Sequence, residues 1–234
     1  MQAVILAGGK GTRLKPYTTI LPKPLMPLGD LPILEIIIRQ LKTSGVTDIV
    51  LAVGYLSELL RAYFGNGEKW GVNITYSYEN EPLGTAAPLK LIQSLEDNFL
   101  VMNGDILANI DYNEFFRFHR ESGSLCTIAT YDKEVKIDLG VLDINENHEL
   151  TNYTEKPKFT YSVSMGIYSF RKEAVDYIPK DAYFDFPELI KVMIRKNIPV
   201  KSYKFNGYWL DIGRQDDYAI ALDEFEAHKS DFLK

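Results

Sequence analysis

Three glycines and two cations share six residues, Gly8-Gly9-Lys10-Gly11-Thr12-Arg13, directly after the apolar run Val4-Ile5-Leu6-Ala7. Such a loop makes a poor core but suits an anion. Backbone N–H groups converge where no Cβ obstructs their approach. The Arg13 guanidinium adds a fork that matches phosphate oxygens in pairs. Lys23 supplies a second cation, and Pro22 and Pro24 stiffen the backbone on either side of it, as expected for a held side chain. The loop is not a P-loop, because no GxxxxGK[ST] run occurs. It is not the dinucleotide fingerprint either, since Leu14 stands where the third glycine of GxGxxG belongs.

The elements that must carry this loop alternate. Apolar, β-branched runs at 3–7, 48–53, 72–76 and 99–102 predict buried strands, with helices at 33–44, 57–64 and 86–95 between them. This implies right-handed crossovers and a mainly parallel sheet, whose ligands sit beyond the carboxyl ends of the strands. From about residue 112 the pattern changes. A helix at 112–121 precedes strands at 125–131, 141–144, 150–154 and 163–170, and helices return at 172–177, 186–196 and 215–228. The 234 residues carry a net charge of -6, which argues against a nucleic acid or an anionic membrane as partner, so the local cations call for a small anion. One cysteine, Cys126, excludes an internal disulfide, and no apolar segment is long enough for a signal core or a membrane span. The expectation is a cytoplasmic protein of one domain, 1–234.

Gly8-Gly9-x-Gly11-Thr12-Arg13-Leu14 followed by Pro22-Lys23-Pro24 resembles the signature of the sugar-1-phosphate nucleotidyltransferases. The likeness continues through "ENEPLGTAAPL" (79–89), "VMNGDI" (101–106), "EKP" (155–157), "SMGIYSF" (164–170) and "YWLDIGRQDDYAIA" (208–221), and so spans nearly the whole chain. It is most similar to the mannose-1-phosphate guanylyltransferase-like branch. The resemblance implies an α/β, Rossmann-like, three-layer fold, the nucleotide-diphospho-sugar transferase fold, with a mixed, mainly parallel sheet and helices on both faces. Roughly 1–110 would bind the NTP and 111–234 the sugar phosphate. Two departures stand out. Ser164-Met165-Gly166 replaces the Asn-Ala-Gly of many members, and no hexapeptide-repeat tail follows, so no left-handed β-helix domain is expected.

The implied reaction is in-line attack of a sugar 1-phosphate on the α-phosphorus of an NTP, with release of pyrophosphate. Two polyanions must meet, so positioning and charge cancellation supply most of the catalysis. Arg13 and Lys23 take the catalytic role. Leu6, Ala7, Gly8, Gly9, Gly11 and Thr12 would wrap the nucleotide, with Glu79, Gly84 and Thr85 at the base. Asn103, Gly140, Glu155, Lys156 and Gly166 would hold the sugar phosphate. Asp105 and Asp211 each end a short apolar run, and Mg2+ usually takes one or two carboxylates together with substrate phosphates. No covalent nucleophile is needed, and Cys126 has no histidine near it in sequence. His119 and His148 lack metal-ligand spacing.

Glu79 raises the question of the base. An ionised carboxylate only accepts hydrogen bonds. Guanine offers two adjacent donors, uracil and thymine one, and cytosine an acceptor at N3, so GTP ranks first and UTP or dTTP second. A non-catalytic sugar-nucleotide-binding regulatory protein on the same fold is the reading from another class. It would predict loss of the charged residues, yet Arg13, Lys23, Asp105, Lys156 and Asp211 are all present. The sugar and the oligomeric state stay open, a homodimer being one form.

Overall fold

The computed structural model describes residues 1–79 and 81–233. Asn80, inside the quoted segment 79–89, lies outside the described residues. The strands are β1 (Gln2–Leu6), β2 (Pro27–Leu28), β3 (Leu31–Pro32), β4 (Asp48–Val53), β5 (Asn73–Tyr78), β6 (Asn98–Asn103), β7 (Ile106–Ala108), β8 (Cys126–Lys136), β9 (Val141–Ile144), β10 (Leu150–Thr154), β11 (Lys158–Arg171), β12 (Val200–Phe205) and β13 (Trp209–Asp211). The α-helices are α1 (Ile33–Thr43), α2 (Ser57–Phe64), α3 (Tyr112–Ser122), α4 (Phe186–Arg195), α5 (Gln215–Ala227) and α6 (Lys229–Phe232).

Seven strands form one sheet in the order β12-β8-β11-β6-β1-β4-β5. β1 pairs in parallel with both β4 and β6, β4 with β5, and β12 with β8, while β11 runs antiparallel to β6 and β8. Side-chain alternation divides the core between the two faces. Ala3, Ile5, Ile49, Leu51, Leu100 and Met102 pack on one face with α1, α2, α3 and α5. Val4, Val50, Ala52, Phe99 and Val101 pack on the other with α4 and the 3-10 turn Ala87–Leu91. The result is three layers, as expected from the sequence. α1 shows how the pattern works. Leu34, Ile37, Ile38 and Leu41 repeat at helical spacing and are all buried, each contributing about 1.5–3 kcal/mol by the usual transfer scale.

Three expectations need correction. Residues 86–95 are not an α-helix but a 3-10 turn, Ala87–Leu91, followed by extended Ile92. The Ala86 and Ala87 amides donate across the molecule to Phe184 O, at 2.9 and 3.1 Å, so a tertiary tie governs the start of this segment. Residues 172–177 likewise form a 3-10 helix. β12 is an additional strand at the sheet edge; exposed Lys201, Ser202 and Lys204 interrupt partly buried Val200, Tyr203 and Phe205, so it carries no continuous apolar run. β8 and β11 also run longer than their apolar segments predict, pairing out to Lys136 and Lys158.

The tie at Phe184 belongs to a larger clasp between the two halves of the chain. Thr85 donates its N–H (2.9 Å) and its hydroxyl (3.1 Å) to Asp185 Oδ1, and its Oγ1 accepts the Phe186 N–H (2.9 Å) at the start of α4. Phe184 N–H donates to Leu83 O at 2.8 Å. Asp185 occupies the N-cap position of α4, yet its carboxylate does not cap that helix, and the Thr85 hydroxyl serves the first turn instead. Thr85→Val keeps the shape but leaves the Phe186 amide without that acceptor. The expected cost is about 1–3 kcal/mol, read as a lower urea midpoint with an unchanged slope.

Candidate active site

The site forms because β1 and β6 end together. Leu6 is in register with Asn103 and with Ala52, the Gly104 amide donates to Leu6 O at 2.9 Å, and the Ala7 amide donates to Ala52 O at 2.8 Å. The glycine loop and the Asn103–Asp105 segment therefore leave the sheet side by side at its carboxyl edge. The loop then folds back on the segment that follows it. Gly11 has φ +58, its carbonyl accepts the Thr18 hydroxyl at 2.7 Å, and a Cβ there would lie 2.9 Å from Thr18 Cγ2.

A cleft of about 370 Å3 opens at this edge. Leu6, Ala7, Gly8, Gly9, Gly11, Arg13, Lys23, Glu79, Gly84, Thr85, Asn103 and Asp105 all line it, which unites most of the residues singled out in the first half of the chain. Lys23 is buried, and its Nζ hydrogen bonds to Asp105 Oδ2, so it is a held side chain, as the flanking prolines predict. Asp211 arrives on β13, which pairs antiparallel with β7, and the Ile212 amide donates to Asp105 O at 3.1 Å. By surface area Asp211 is exposed, and it does not line the cleft. Even so, the protein packed around its carboxyl, and next the charge of Asp105, raise its pKa above the ordinary aspartate value, while Lys23 and Arg13 pull the other way. Asp217, on the first turn of α5, adds to the upward push. A Cβ on Gly213 would lie 3.5 Å from both Arg13 Nη1 and Asp217 Oδ2, so this carboxylate and the guanidinium face the same turn.

The residues fit a divalent cation. Asp105 Oδ1 is buried and accepts no hydrogen bond among the described residues, an orphaned hard oxygen beside a second carboxylate. The rest of the coordination would come from substrate oxygens, consistent with the absence of a cluster of three or more acidic, histidine or cysteine side chains among the described residues.

Glu79 follows β5, and the Leu83 amide donates to its Oε2 at 3.2 Å. Its other oxygen stands 3.0 Å from where a Cβ on Gly8 would be, which places the carboxylate against the glycine loop. Burial raises its pKa, and the Leu83 hydrogen bond lowers it in part.

The remaining expected residues stand apart. Thr12 is exposed at the start of the turn Thr12–Leu14 and does not line the cleft. Gly166 lies in the β11 irregularity between Ser164 and Tyr168, where its positive φ of +73 and Asn103 Nδ2, 2.7 Å from a Cβ, both demand glycine. Gly140, Glu155 and Lys156 gather elsewhere, beside the β9–β10 hairpin. Tyr153 donates to Glu155 Oε2 at 2.9 Å and would clash with any side chain at 140, and Lys156 and Glu155 form an exposed pair at 4.0 Å. None of these four residues lines the cleft. Conversely, Pro82, Gly104, Tyr183 and Asp185 line it without having been singled out. Pro82, Gly104 and Asp217 lie inside the quoted motif segments. Asp185 had a usable signal in its position before the helix-opening Phe186-Pro187, whereas nothing local marks Tyr183.

Residues 2–228 match the family profile described as nucleotidyl transferase. The chain belongs to that family. A UTP--glucose-1-phosphate uridylyltransferase of Synechocystis sp. is 33% identical over 95% of this chain, which spans 62% of that protein. A mannose-1-phosphate guanyltransferase of Saccharomyces cerevisiae is 36% identical over 93% of this chain, which spans 63% of that one. The crystal structure of HddC from Yersinia pseudotuberculosis superposes with a TM-score of 0.72 at 28% identity, covering 96% of this chain and 99% of that one. HddC has also been solved complexed with GMP-PN, with a TM-score of 0.70 and 27% identity to this chain over 96% of it and 99% of that chain. The fold is thus the nucleotide-diphospho-sugar transferase fold expected from the sequence.

The raised pKa of Asp211 has a consequence for stability. A carboxyl whose folded pKa exceeds its unfolded value contributes stability below the unfolded pKa and loses it as pH rises through the folded one. At pH 7 the ionised Asp211 is therefore a cost in the cation-free protein. Asp211→Asn should raise the thermal midpoint at pH 7 without added divalent cation, and this gain should shrink as the pH falls through the raised folded pKa and vanish below the ordinary aspartate value. Calorimetry at several pH values reads both.

Proposed function

We propose that the protein transfers a nucleotidyl group from an NTP, GTP by preference, to a sugar 1-phosphate, releasing pyrophosphate. The observation that carries this reading is the meeting of Arg13, Lys23 and Asp105 in the glycine-loop cleft, with Asp211 outside its lining but close enough to feel the charge of all three. Residues 1–110 take the NTP and 111–234 the sugar phosphate. Leu6, Ala7, Gly8, Gly9 and Gly11 present backbone amides and close-approach surface to the triphosphate, and Thr12 lies at its rim. Arg13 and Lys23 neutralise charge as the two phosphates close. Asp105 and Asp211 hold Mg2+, which supplies electrostatic stabilisation of phosphate oxygens when bound. With Asp105 committed to a cation, Lys23, which bonds to Asp105 here, would be free to turn towards phosphate. Asn103 and Gly166 border the sugar, and Gly140, Glu155 and Lys156 receive its hydroxyls and phosphate.

Glu79 supports guanine. A half-buried carboxylate against the glycine loop can meet the N1–H and N2–H2 donors together. The guanyltransferase name of the yeast relative and the GMP-PN bound to HddC agree with this choice. Uridylyl transfer is the second reading. It is favoured by the Leu83 amide on Oε2, which leaves Oε1 as the less committed acceptor for a single N3–H, and by the name of the Synechocystis relative.

A screen of four NTPs against several sugar 1-phosphates, read by pyrophosphate release, tests the proposal, and no turnover in any pairing would reject it. Divalent cation should raise the thermal midpoint of the wild type by mass action, and Asp211→Asn should abolish most of that rise. Arg13→Ala and Lys23→Ala should each lower kcat by about 100-fold or more, as removal of one transition-state contact does, with smaller changes in KM for the NTP. Lys156→Ala should instead raise the KM for the sugar phosphate, and an effect confined to the NTP would assign it to the other substrate.

Glu79→Gln keeps the shape but places a donor opposite a guanine donor. GTP should lose about 1–3 kcal/mol of selectivity against UTP, because the single uracil donor still meets the amide oxygen. Comparison of kcat/KM for the two nucleotides reads this. A wild type that prefers UTP would overturn guanylyl transfer while leaving nucleotidyl transfer in place.

A further inference from the structure

The cleft has two chemically different ends. Among the described residues its lining cations are Arg13 and Lys23, grouped with Asp105. The other end gathers Pro82, Gly84, Thr85, Tyr183 and Asp185, with Glu79 between it and the glycine loop, and has no cation among the described residues. A triphosphate belongs at the first end, which leaves the second for the uncharged, flat part of a nucleotide. Within it the carboxylate of Asp185 is already engaged by two donors from Thr85. Gly84 is fixed against the opposite strap, since at φ +89 any Cβ would lie 2.7 Å from Phe184 O. Both features hold this wall in place before a ligand arrives.

Tyr183 is the one aromatic side chain among the cleft-lining residues. It is 64% exposed and lies two residues before Asp185. The backbone beside it is fixed, since the Phe184 amide donates to Leu83 O and its carbonyl accepts from the Ala86 and Ala87 amides. An aromatic ring carried on a fixed backbone at the mouth of this end of the cleft is a stacking surface that costs little backbone ordering on binding.

We infer that Tyr183 forms the outer wall of the nucleobase subsite and stacks on the base. The inference rests on the nucleotide-binding reading above and adds to it a contact from the second half of the chain. Stacking has a selectivity opposite to that of Glu79. Every base has a π-face, so loss of the ring should weaken all nucleotides together, whereas loss of the Glu79 carboxylate discriminates between bases.

Calorimetric titration with non-reacting α,β-methylene analogues of GTP and UTP, and with inorganic tripolyphosphate, separates the contributions in the presence of Mg2+. Tyr183→Ala should weaken both analogues about tenfold, with tripolyphosphate affinity unchanged. Tyr183→Phe should stay within about twofold of wild type, since it retains the ring. Equal weakening of tripolyphosphate, or unaltered binding of both analogues by Tyr183→Ala, would overturn the stacking role while leaving nucleotide binding intact. A wild type that binds neither analogue would instead remove the nucleotide reading itself, and the inference with it.

Discussion

Lys23 and Asp105 stand 82 residues apart in the chain and meet in a buried ion pair at the carboxyl edge of the sheet. Burying two charges costs desolvation energy that their attraction repays only in part, so the pair is weak evidence for a stabilising role. Its presence constrains the elements around it. Lys23 must be held by a short 3-10 turn between prolines, because a freely rotating lysine would escape to water. Asp105 must leave β6 through a glycine whose own Cβ position lies 3.0 Å from Leu6 O, so that the two strand ends can close on one another.

Parallel pairing of β1 with β6 meets this demand. Parallel neighbours end at the same edge, so the loops after Leu6 and Asn103 emerge together without any long-range search. The second carboxylate needs another device, since Asp211 lies far along the chain. A three-residue strand, β13, reaches back to β7 in an antiparallel pair and places Asp211 opposite Ile106, the neighbour of Asp105. α5 then starts directly after it, and Gln215 and Tyr218 bond to the carbonyls of Lys15 and Pro27, at 2.7 and 2.6 Å, locking the closing motif onto the opening loop.

These features were unequally legible in the sequence. The parallel strands and α1 were clear because burial on both faces leaves uninterrupted β-branched runs, and helical packing leaves a three- and four-residue period. The glycine loop and Lys23 were clear because their chemistry is concentrated in 22 residues, 3–24. β12 was not, since an edge strand needs to bury little and Lys201, Ser202 and Lys204 interrupt its apolar residues. Residues 86–95 have good helical composition, but their first amides are taken by Phe184, which no local window reveals. Tyr183 fails for the same reason. It lines the cleft only because the Thr85–Asp185 clasp joins segments about a hundred positions apart. The hairpin residues Glu155 and Lys156 show the reverse case, for their motif was visible while their side chains lie exposed and away from the cleft.

Counting charge explains why the arrangement requires a further partner. At the mouth, Arg13 and Lys23 supply two positive charges, while Asp105, Asp211 and Asp217 supply three negative ones, a local balance of 2 - 3 = -1. Deeper in the cleft Glu79 and Asp185 add two more carboxylates. Ions in a partly desolvated site repel far more strongly than in water, so these side chains alone cannot draw in a triphosphate, still less bring a second phosphate against it. The upward shift of the Asp211 pKa comes first from the protein packed around its carboxyl, and the charge of Asp105 adds to it. A divalent cation held by Asp105 and Asp211, as proposed above, would turn this balance from -1 to +1 and would give the orphaned Asp105 oxygen a partner. On that proposal the carboxylates would serve as a cation site first, and as a phosphate site only with the cation bound.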